Sequence, residues 1–450
     1  MRSRRTHQAV ALAAVFVLAG AGAQTAGAEP AVTPGSSDAY YSPKADLPQS
    51  ESPHSFRKFL STDQEQYSEQ SFVWGGSLIE DDGTVNALAV ELQREDVAFG
   101  GFDIPVVAGG LLFNQGNGYR AGGAGGLPEV TFPVSFTRYP WSVRVTQPEL
   151  LQQPEFVDAR VVKGRIGQRG AIYELTGHVS NIAAGTAPTE IDLYARIKDR
   201  TGIMQWGYGP SGFAPMWVFP EQRATILDEF DGSVGDYLTA TKTSMYGQGQ
   251  YYYTMPLLEV QDFKVREDGR TVSSGDSGWL WWDNVDRSYG PEARQVIAED
   301  GGMGWLEFSI QLPGSRRALK VGYTDSKGPV GRLPYAMLVG PNSDKAQNGA
   351  FTSRMNWNMD DIHIRPVRSS QWTNPLTGNS YYLKWTVRLD PSPGNKAARF
   401  TISQAVKDQE LSVSGRQVFE GLFRVSGRIG NGNSVSGWAF GEVQQAGKNG

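Results

Sequence analysis

Apolar and polar residues alternate with a period of two along most of this chain, in short stretches broken by glycine-containing turns. In the first half the clearest stretches are Phe72-Val73-Trp74 and residues 85–92, 130–136 and 172–179. Residues 190–197 read as a further strand, closed by the turn Asp199-Arg200-Thr201-Gly202. The second half repeats the texture with more aromatic residues, in Tyr251-Tyr252-Tyr253 and over 305–312, 318–323, 381–389 and 419–425. Helical periodicity is scarce, and 291–299 is the best short candidate. Many short strands separated by glycine turns predict an all-β fold, as barrels or sandwiches, over a layered α/β plan.

Length divides this pattern. Single cores stop growing near ~250–300 residues, so a chain of 450 residues has room for two. The join is expected near Met255-Pro256, where a Gly-Gln-rich stretch meets a new run of strands, giving domains over 56–255 and 256–450. Residues 29–55, rich in Pro, Ser, Ala and Asp and without apolar period, read as a flexible linker. Ahead of them Arg2, Arg4 and Arg5 precede an apolar run over 9–18 and the small-residue site Ala26-Gly27-Ala28. That is the layout of a secretory signal, and the run is too short for a stable membrane span. Arg4-Arg5 also admits the twin-arginine route, although Thr6-His7-Gln8 matches it poorly. Export and cleavage after Ala28 are therefore expected.

Cleavage would remove three arginines and no acids, taking the formal net charge from −5 to −8. That sign argues against nucleic acid or anionic membrane as the main partner. The chain has no cysteine, which excludes disulfides, thiolate catalysis and cysteine metal sites. Beyond the leader only His54, His178 and His363 remain, too few for a histidine-cluster metal site. No metal and no cofactor are expected, and the chain is expected to act as a monomer.

Four segments invite a chemical reading. The glycine-rich stretch 116–126 lacks the Gly-Lys-Ser/Thr of a phosphate cradle and reads as a mobile loop at a barrel mouth. Gly275-Asp276-Ser277-Gly278 spells a serine-protease nucleophile motif, but His178 lies in the wrong context and Trp279 replaces the next glycine, so a polar turn is preferred. Asp360-Asp361-Ile362-His363 reads as a solvated strand end, with metal binding a minor alternative. The fourth is Trp279-Leu280-Trp281-Trp282-Asp283-Asn284-Val285-Asp286. A carboxyl beside indole rings is partly desolvated, which raises its pKa and suits it to act as a general acid, while the ring faces can stabilise a developing cation. A strand of core tryptophans ended by aspartates at a turn explains the segment equally well.

From about residue 250 the chain resembles the double-lipocalin family that includes carotenoid hydratase, secreted fungal kievitone hydratase and the decalin-forming Diels–Alderases. The resemblance rests on an ordered set of motifs: Tyr251-Tyr252-Tyr253-Thr254-Met255-Pro256, the segment from Gly278 to Gly290, the strand starting at Trp305, Asp408-Gln409-Glu410-Leu411, Val418-Phe419-Glu420-Gly421, and Val435-Ser436-Gly437-Trp438-Ala439-Phe440-Gly441-Glu442. In the first half only Phe72-Val73-Trp74 matches. The resemblance implies two tandem lipocalin-like antiparallel barrels and cofactor-free hydration, isomerisation or cyclisation of a polyene or prenylated compound in an apolar cavity. It implies Asp283 as the catalytic acid; Asp286, the next acid at the strand end, is the reserve candidate. It implies a substrate wall of Trp281, Trp282, Trp74, Tyr253 and Trp305, with Glu420 and Glu442. Asn284 stands where the family commonly has histidine, and a neutral amide cannot relay a proton as imidazole does, a change that cyclisation tolerates better than hydration. A non-catalytic carrier of an apolar ligand is the alternative, and a glycan-binding or glycan-cleaving protein a weaker one. The acids discriminate: an enzyme needs a carboxyl inside the site, whereas a carrier gains nothing from burying one.

Overall fold

The computed structural model describes residues 69–444, apart from 100–101, 127–133, 139–140, 146–154, 182–188, 207–212, 216–219, 233–248, 288–302, 327–331, 341–352, 393, 414–415 and 433. The leader, the linker and the helix expected over 291–299 lie outside the described residues.

A first sheet takes fourteen strands: β1 (Glu69–Ile79), β2 (Val85–Phe99), β3 (Phe102–Asn114), β4 (Tyr119–Gly126), β5 (Val134–Arg138), β6 (Trp141–Val145), β7 (Phe156–Lys163), β8 (Ile172–Asn181), β9 (Thr189–Asp199), β10 (Met204–Trp206), β11 (Phe213–Pro215), β12 (Gly249–Glu267), β13 (Arg270–Gly275) and β14 (Ser277–Arg287). Among the described residues one α-helix, α1 (Pro220–Glu229), interrupts the run. The second half contributes β15 (Met303–Leu312), β16 (Arg317–Ser326), β17 (Leu333–Gly340), β18 (Ser353–Asn356), β19 (Ile362–Pro366), β20 (Gln371–Thr373), β21 (Ser380–Tyr382), β22 (Lys384–Leu389), β23 (Ala398–Gln404), β24 (Glu410–Val413), β25 (Arg416–Ile429) and β26 (Ser434–Gln444). Of these, β20 and β21 form a small ribbon and the other ten form the second sheet.

Pairing in the first sheet closes on itself. β14 lies between β12 and β1, the order continues through β2, β3 and β4 to β8, and β9 links β8 back to β12. The result is an eight-stranded antiparallel ring, the size whose interior side chains can fill. Phe72, Trp74 and Trp282 point inward and meet Trp141 of β6 at ring-centroid distances of 6.2, 5.4 and 5.5 Å. The second sheet runs β18-β17-β16-β15-β26-β25-β23-β22-β19 and curls around Phe308, Trp385, Phe419 and Phe423. The all-β expectation and the pair of lipocalin-like barrels both hold. No helix among the described residues is long and apolar enough to cross a membrane.

Two expectations are corrected by the pairing. The join is not at Met255-Pro256, because β12 runs through that dipeptide, and β12–β14 complete the first barrel rather than opening the second. Pro256 is tolerated there because the β12–β14 register shifts between Met255 and Leu258, a bulge that removes the need for its missing N–H. The chain passes between the barrels after Arg287 and before Met303. The glycine-rich stretch is not a loop beyond Gly118: Tyr119–Gly126 forms β4 and pairs in full with β3.

The serine-protease motif dissolves in the same topology. Gly275 ends β13, and Ser277 opens β14 as an exposed residue. His178 sits on β8, with β9 and β12 intervening, and its Nδ1 is 2.7 Å from Asp192 Oδ1. Three strand spacings amount to about 14 Å, far beyond hydrogen-bond reach.

A candidate active site in the seam between the barrels

Alternation decides which side chains meet. On β14 the even residues Leu280 and Trp282 enter the first barrel's core, so Trp279, Trp281 and Asp283 project from its outer wall. On β15, Leu306, Phe308 and Ile310 fill the second barrel, and Trp305, Glu307, Ser309 and Gln311 project outward. These two outer walls pack against each other. Gly75 of β1 lies so close to Phe440 of β26 that a Cβ there would stand 2.5 Å from the ring. Asn114 Nδ2 donates to the carbonyls of Lys407 and Asp408 at 3.0 and 2.9 Å, and Gln311 Nε2 donates to Pro256 O at 3.0 Å.

The seam has an apolar patch at each end. At one end Trp281 and Leu257 pack on Ala318, Met337 and Val339. At the other Ala87 packs on Val406 and Leu422. Between them the two walls present acids. Glu307, Glu442 and Glu420 stand directly opposite one another on β15, β26 and β25, forming a three-carboxylate row. The facing wall carries Asp283 and Glu91, each in register with Val73 between them.

Among the described residues, Lys320 is the cation paired with this group, through Glu307 and Asp283. Lys320, 1% exposed, donates to Glu307 Oε1 and to Ser309 Oγ (2.9 Å), lies 3.5 Å from Asp283 Oδ2, and sits 5.6 Å from the centroid of the Trp281 ring. Tyr335 donates to Glu307 Oε2 at 2.7 Å, over Gly322, where a Cβ would meet the phenol oxygen at 2.8 Å. Trp305 Nε1 donates to Glu442 Oε2 at 3.3 Å. Gln409 holds the backbone beside Glu420: its Oε1 accepts from Leu422 N at 2.6 Å, and its carbonyl accepts from Glu420 N at 3.1 Å.

Crowded carboxylates away from water raise one another's pKa, because an uncompensated buried charge costs several kcal/mol. Protons stay on the middle of the row. Burial, then the neighbouring Glu307, pushes the Glu442 carboxyl up to about 8, and Asp283 adds to the rise while Lys320 and the Trp305 N–H oppose it. Glu420 is raised well above the ordinary range by burial, with Glu442 and Glu91 adding to the effect. At neutral pH the Glu442 carboxyl therefore holds its proton, one residue across the sheet from the Lys320–Glu307 ion pair.

The sequence-predicted residues divide between two places. Asp283, Trp281, Trp305, Glu420 and Glu442 come together in the seam. Trp74 and Trp282 do not, since both are fully buried inside the first barrel, 6.2 Å apart by ring centroids. Tyr253 and Asp286 are described only through their backbone pairing, Tyr253 with Asn284 and Asp286 with Gln70, and their side chains lie outside the described residues. Asn284 is buried and donates through Nδ2 to Ser71 O at 3.2 Å, on the face opposite Asp283. Sequence reasoning missed Glu91, Glu307, Lys320 and Tyr335, each a single polar residue in an alternating strand.

Far from the seam, Asp360 is exposed, and His363 Nε2 is 2.8 Å from Asp390 Oδ2. Among the described residues no group of three histidine or acidic side chains is arranged to hold a metal ion.

Two antiparallel lipocalin-like barrels packed wall to wall over a polar seam define the structural class of this chain. Among solved structures it is similar to a protein assigned as AttH from Nitrosomonas europaea, with a TM-score of 0.55 at 15% identity over 86% of this chain and 95% of the other. Kievitone hydratase from Nectria haematococca aligns with a TM-score of 0.49 at 12% identity over 96% and 98% of the two chains. CghA in complex with Sch210972 aligns at 0.40 and 12%, over 85% and 89%. No protein-family profile matches the sequence, and no curated protein sequence matches it significantly.

Proposed function

We propose that this chain is an exported, cofactor-free enzyme that moves a proton on an apolar polyene or prenylated compound, as a hydratase or isomerase, in the seam between its barrels. One observation carries the reading: Glu442, whose carboxyl burial and its neighbours push up to about 8, is held by the Trp305 indole beside the Lys320 ion pairs with Glu307 and Asp283. A carrier of apolar ligands gains nothing from such an arrangement, which costs folding free energy.

In this reading Glu442 is the general acid and gives its proton to one carbon of a double bond. The cation left on the other carbon is met by the faces of Trp305 and Trp281 and by the Asp283 carboxylate. Hydration then adds water to the cation, with the water's surplus proton passing to Asp283. Isomerisation instead releases a neighbouring C–H proton to Asp283, and the double bond re-forms one position along. Either path returns the proton through the seam to Glu442. Asp283, first expected as the acid, acts as base and counter-charge, because it shares Lys320 with Glu307. The Glu420 carboxyl is the adjoining proton store.

Deuterium decides the matter. The chain is incubated in D₂O with apolar polyenes and prenylated phenols extracted from its producer, and products are read by mass spectrometry. Proton-transfer chemistry puts solvent deuterium on carbon, and Glu442→Gln abolishes the label. A product without deuterium points to pericyclic cyclisation, and a compound bound but unchanged points to carriage; either defeats the proposal. The export half is checked by N-terminal sequencing of the secreted chain, expected to begin at Glu29.

A further inference from the structure

The second barrel carries a charge pattern that the seam does not use. Along β22, β23 and β25 the buried residues Val387, Phe400 and Val425 face the core, so their alternates face out. Arg388, Arg399 and Arg428 are among these alternates, all three are exposed, and each is in direct cross-strand register with the next. His363 extends the row on β19, opposite Arg388. One step along the strands lies a row of hydroxyls, Thr386, Thr401, Ser426 and Ser436, with Arg365 at its end on β19. A step further, Lys384 and Arg424 flank Ser403.

Like charges directly opposite one another weaken a sheet, so folding gives no reason for three arginines in a row. Asp390 offsets part of the charge at one end, 3.3 Å from Arg388 and 2.8 Å from His363. No carboxylate of the described residues forms an ion pair with Arg399, Arg428 or Arg365. This cationic wall stands on a chain whose formal net charge is −5. Segregation of that kind makes a local field for an anionic partner.

We infer that this outer wall is a docking surface for an anionic polysaccharide bearing carboxylate or sulfate groups. Strands lie about 4.8 Å apart, so the row offers guanidinium forks at that interval, suited to bidentate contact with successive anionic groups. The hydroxyl row alongside can exchange hydrogen bonds with sugar hydroxyls. Two competing occupants are less well served: the arginine and hydroxyl rows present no exposed aromatic or apolar side chain to stack a base or enter a bilayer, and the half-buried Trp438 that ends the third row lies under Arg424, 4.7 Å from ring centroid to guanidinium.

The test uses the full chain on a polygalacturonate surface across a salt series, with dextran, duplex DNA and phosphatidylglycerol vesicles as parallel surfaces. The parent chain is expected to bind polygalacturonate at low salt and to leave dextran bare. The triple variant Arg388→Gln/Arg399→Gln/Arg428→Gln is expected to bind at least about tenfold more weakly, with a log–log salt slope lower by about three, one for each lost contact. Its melting temperature should not fall, because like-charge neighbours have been removed. Should the triple variant nevertheless misfold, Arg399→Gln alone must lower the slope by about one. Absence of binding by the parent, an unchanged slope in the variants, or tighter binding to DNA or vesicles than to polygalacturonate overturns the inference.

Discussion

Trp281 and Trp282 are consecutive residues of one strand, yet they belong to different worlds. Trp282 faces the interior of the first barrel, where Trp74 and Trp141 surround it with other rings. Trp281 faces the seam, where its ring meets an ammonium group and its neighbour Asp283 joins four other carboxyls. The interior is a packing problem solved with large apolar volume. The seam is an electrostatic problem left partly unsolved, and the cost appears as displaced protonation. The lesson is that a double barrel has two kinds of inside, one filled by apolar volume and one that holds charge.

The sharpest way to break this comparison is to truncate the two indoles separately. Trp282→Ala is expected to cost about 3–5 kcal/mol through lost contact and cavity formation, read by chemical denaturation. Trp281→Ala should cost less and show its main effect on substrate affinity. Equal losses in both would erase the distinction between interior and seam.

Next in size is the acid. Glu442→Gln keeps the shape of the side chain and removes its titrating proton, so turnover should fall by roughly 10²-fold or more while substrate still binds. Lys320→Met tests the same group from the other side. It strands Glu307 and Asp283 without their shared cation and should destabilise the fold by about 3 kcal/mol, measured by denaturation at pH 8. A fully active Glu442→Gln would move the chemistry elsewhere.

Gly75→Ala is a smaller perturbation. The new methyl group meets Phe440, so the walls must part slightly, at about 1–3 kcal/mol. The interior rings do not move, and near-ultraviolet circular dichroism from the first barrel should persist while turnover declines.

The mildest test is pH. Glu442 keeps its proton up to about pH 8 in the folded chain, whereas an unfolded glutamate loses it near 4.5. Between these values the folded state binds more protons than the unfolded one. Stability present below pH 4.5 is therefore lost progressively as pH rises towards 8. Asp199 contributes in the same direction over a lower window, since burial raises its carboxyl from 3.8 to about 6. The melting temperature should decline from mildly acidic to mildly alkaline conditions, and Glu442→Gln should flatten the upper part of that decline. An unchanged slope in the variant would show that the row is not what titrates.

Much of the fold was legible because alternation is a local signal, visible wherever one face of a strand is dry. Trp305, Glu420, Glu442 and Asp283 were legible as an ordered set of motifs, and they do meet. Trp74 and Trp282 were drawn into the same set although parity sends them the other way, which adjacency in sequence hides. Lys320 and Glu307 were invisible for a deeper reason. The outer wall of a barrel reads as polar whether it meets water or another barrel, so a lysine with 1% exposure looks like any solvated one. The join near Met255 failed because proline and a Gly-Gln-rich approach signal an ending, while here they accompany a bulge inside a long strand.

That long strand has a consequence for how the molecule comes into being. β1 is walled on one side by β14, so Glu69 must find Arg287 before the first ring can close. Contacts so distant in sequence make folding slow and leave hydrogen-bonding edges open in the meantime. A nascent chain that has emerged only as far as Met255 still lacks β13, β14 and the part of β12 that pairs with β9. Such a fragment is expected to aggregate when expressed, whereas one extended through Arg287 has every strand of the first ring. A polypeptide that cannot finish its first barrel early keeps its strand edges open until Arg287 has been made.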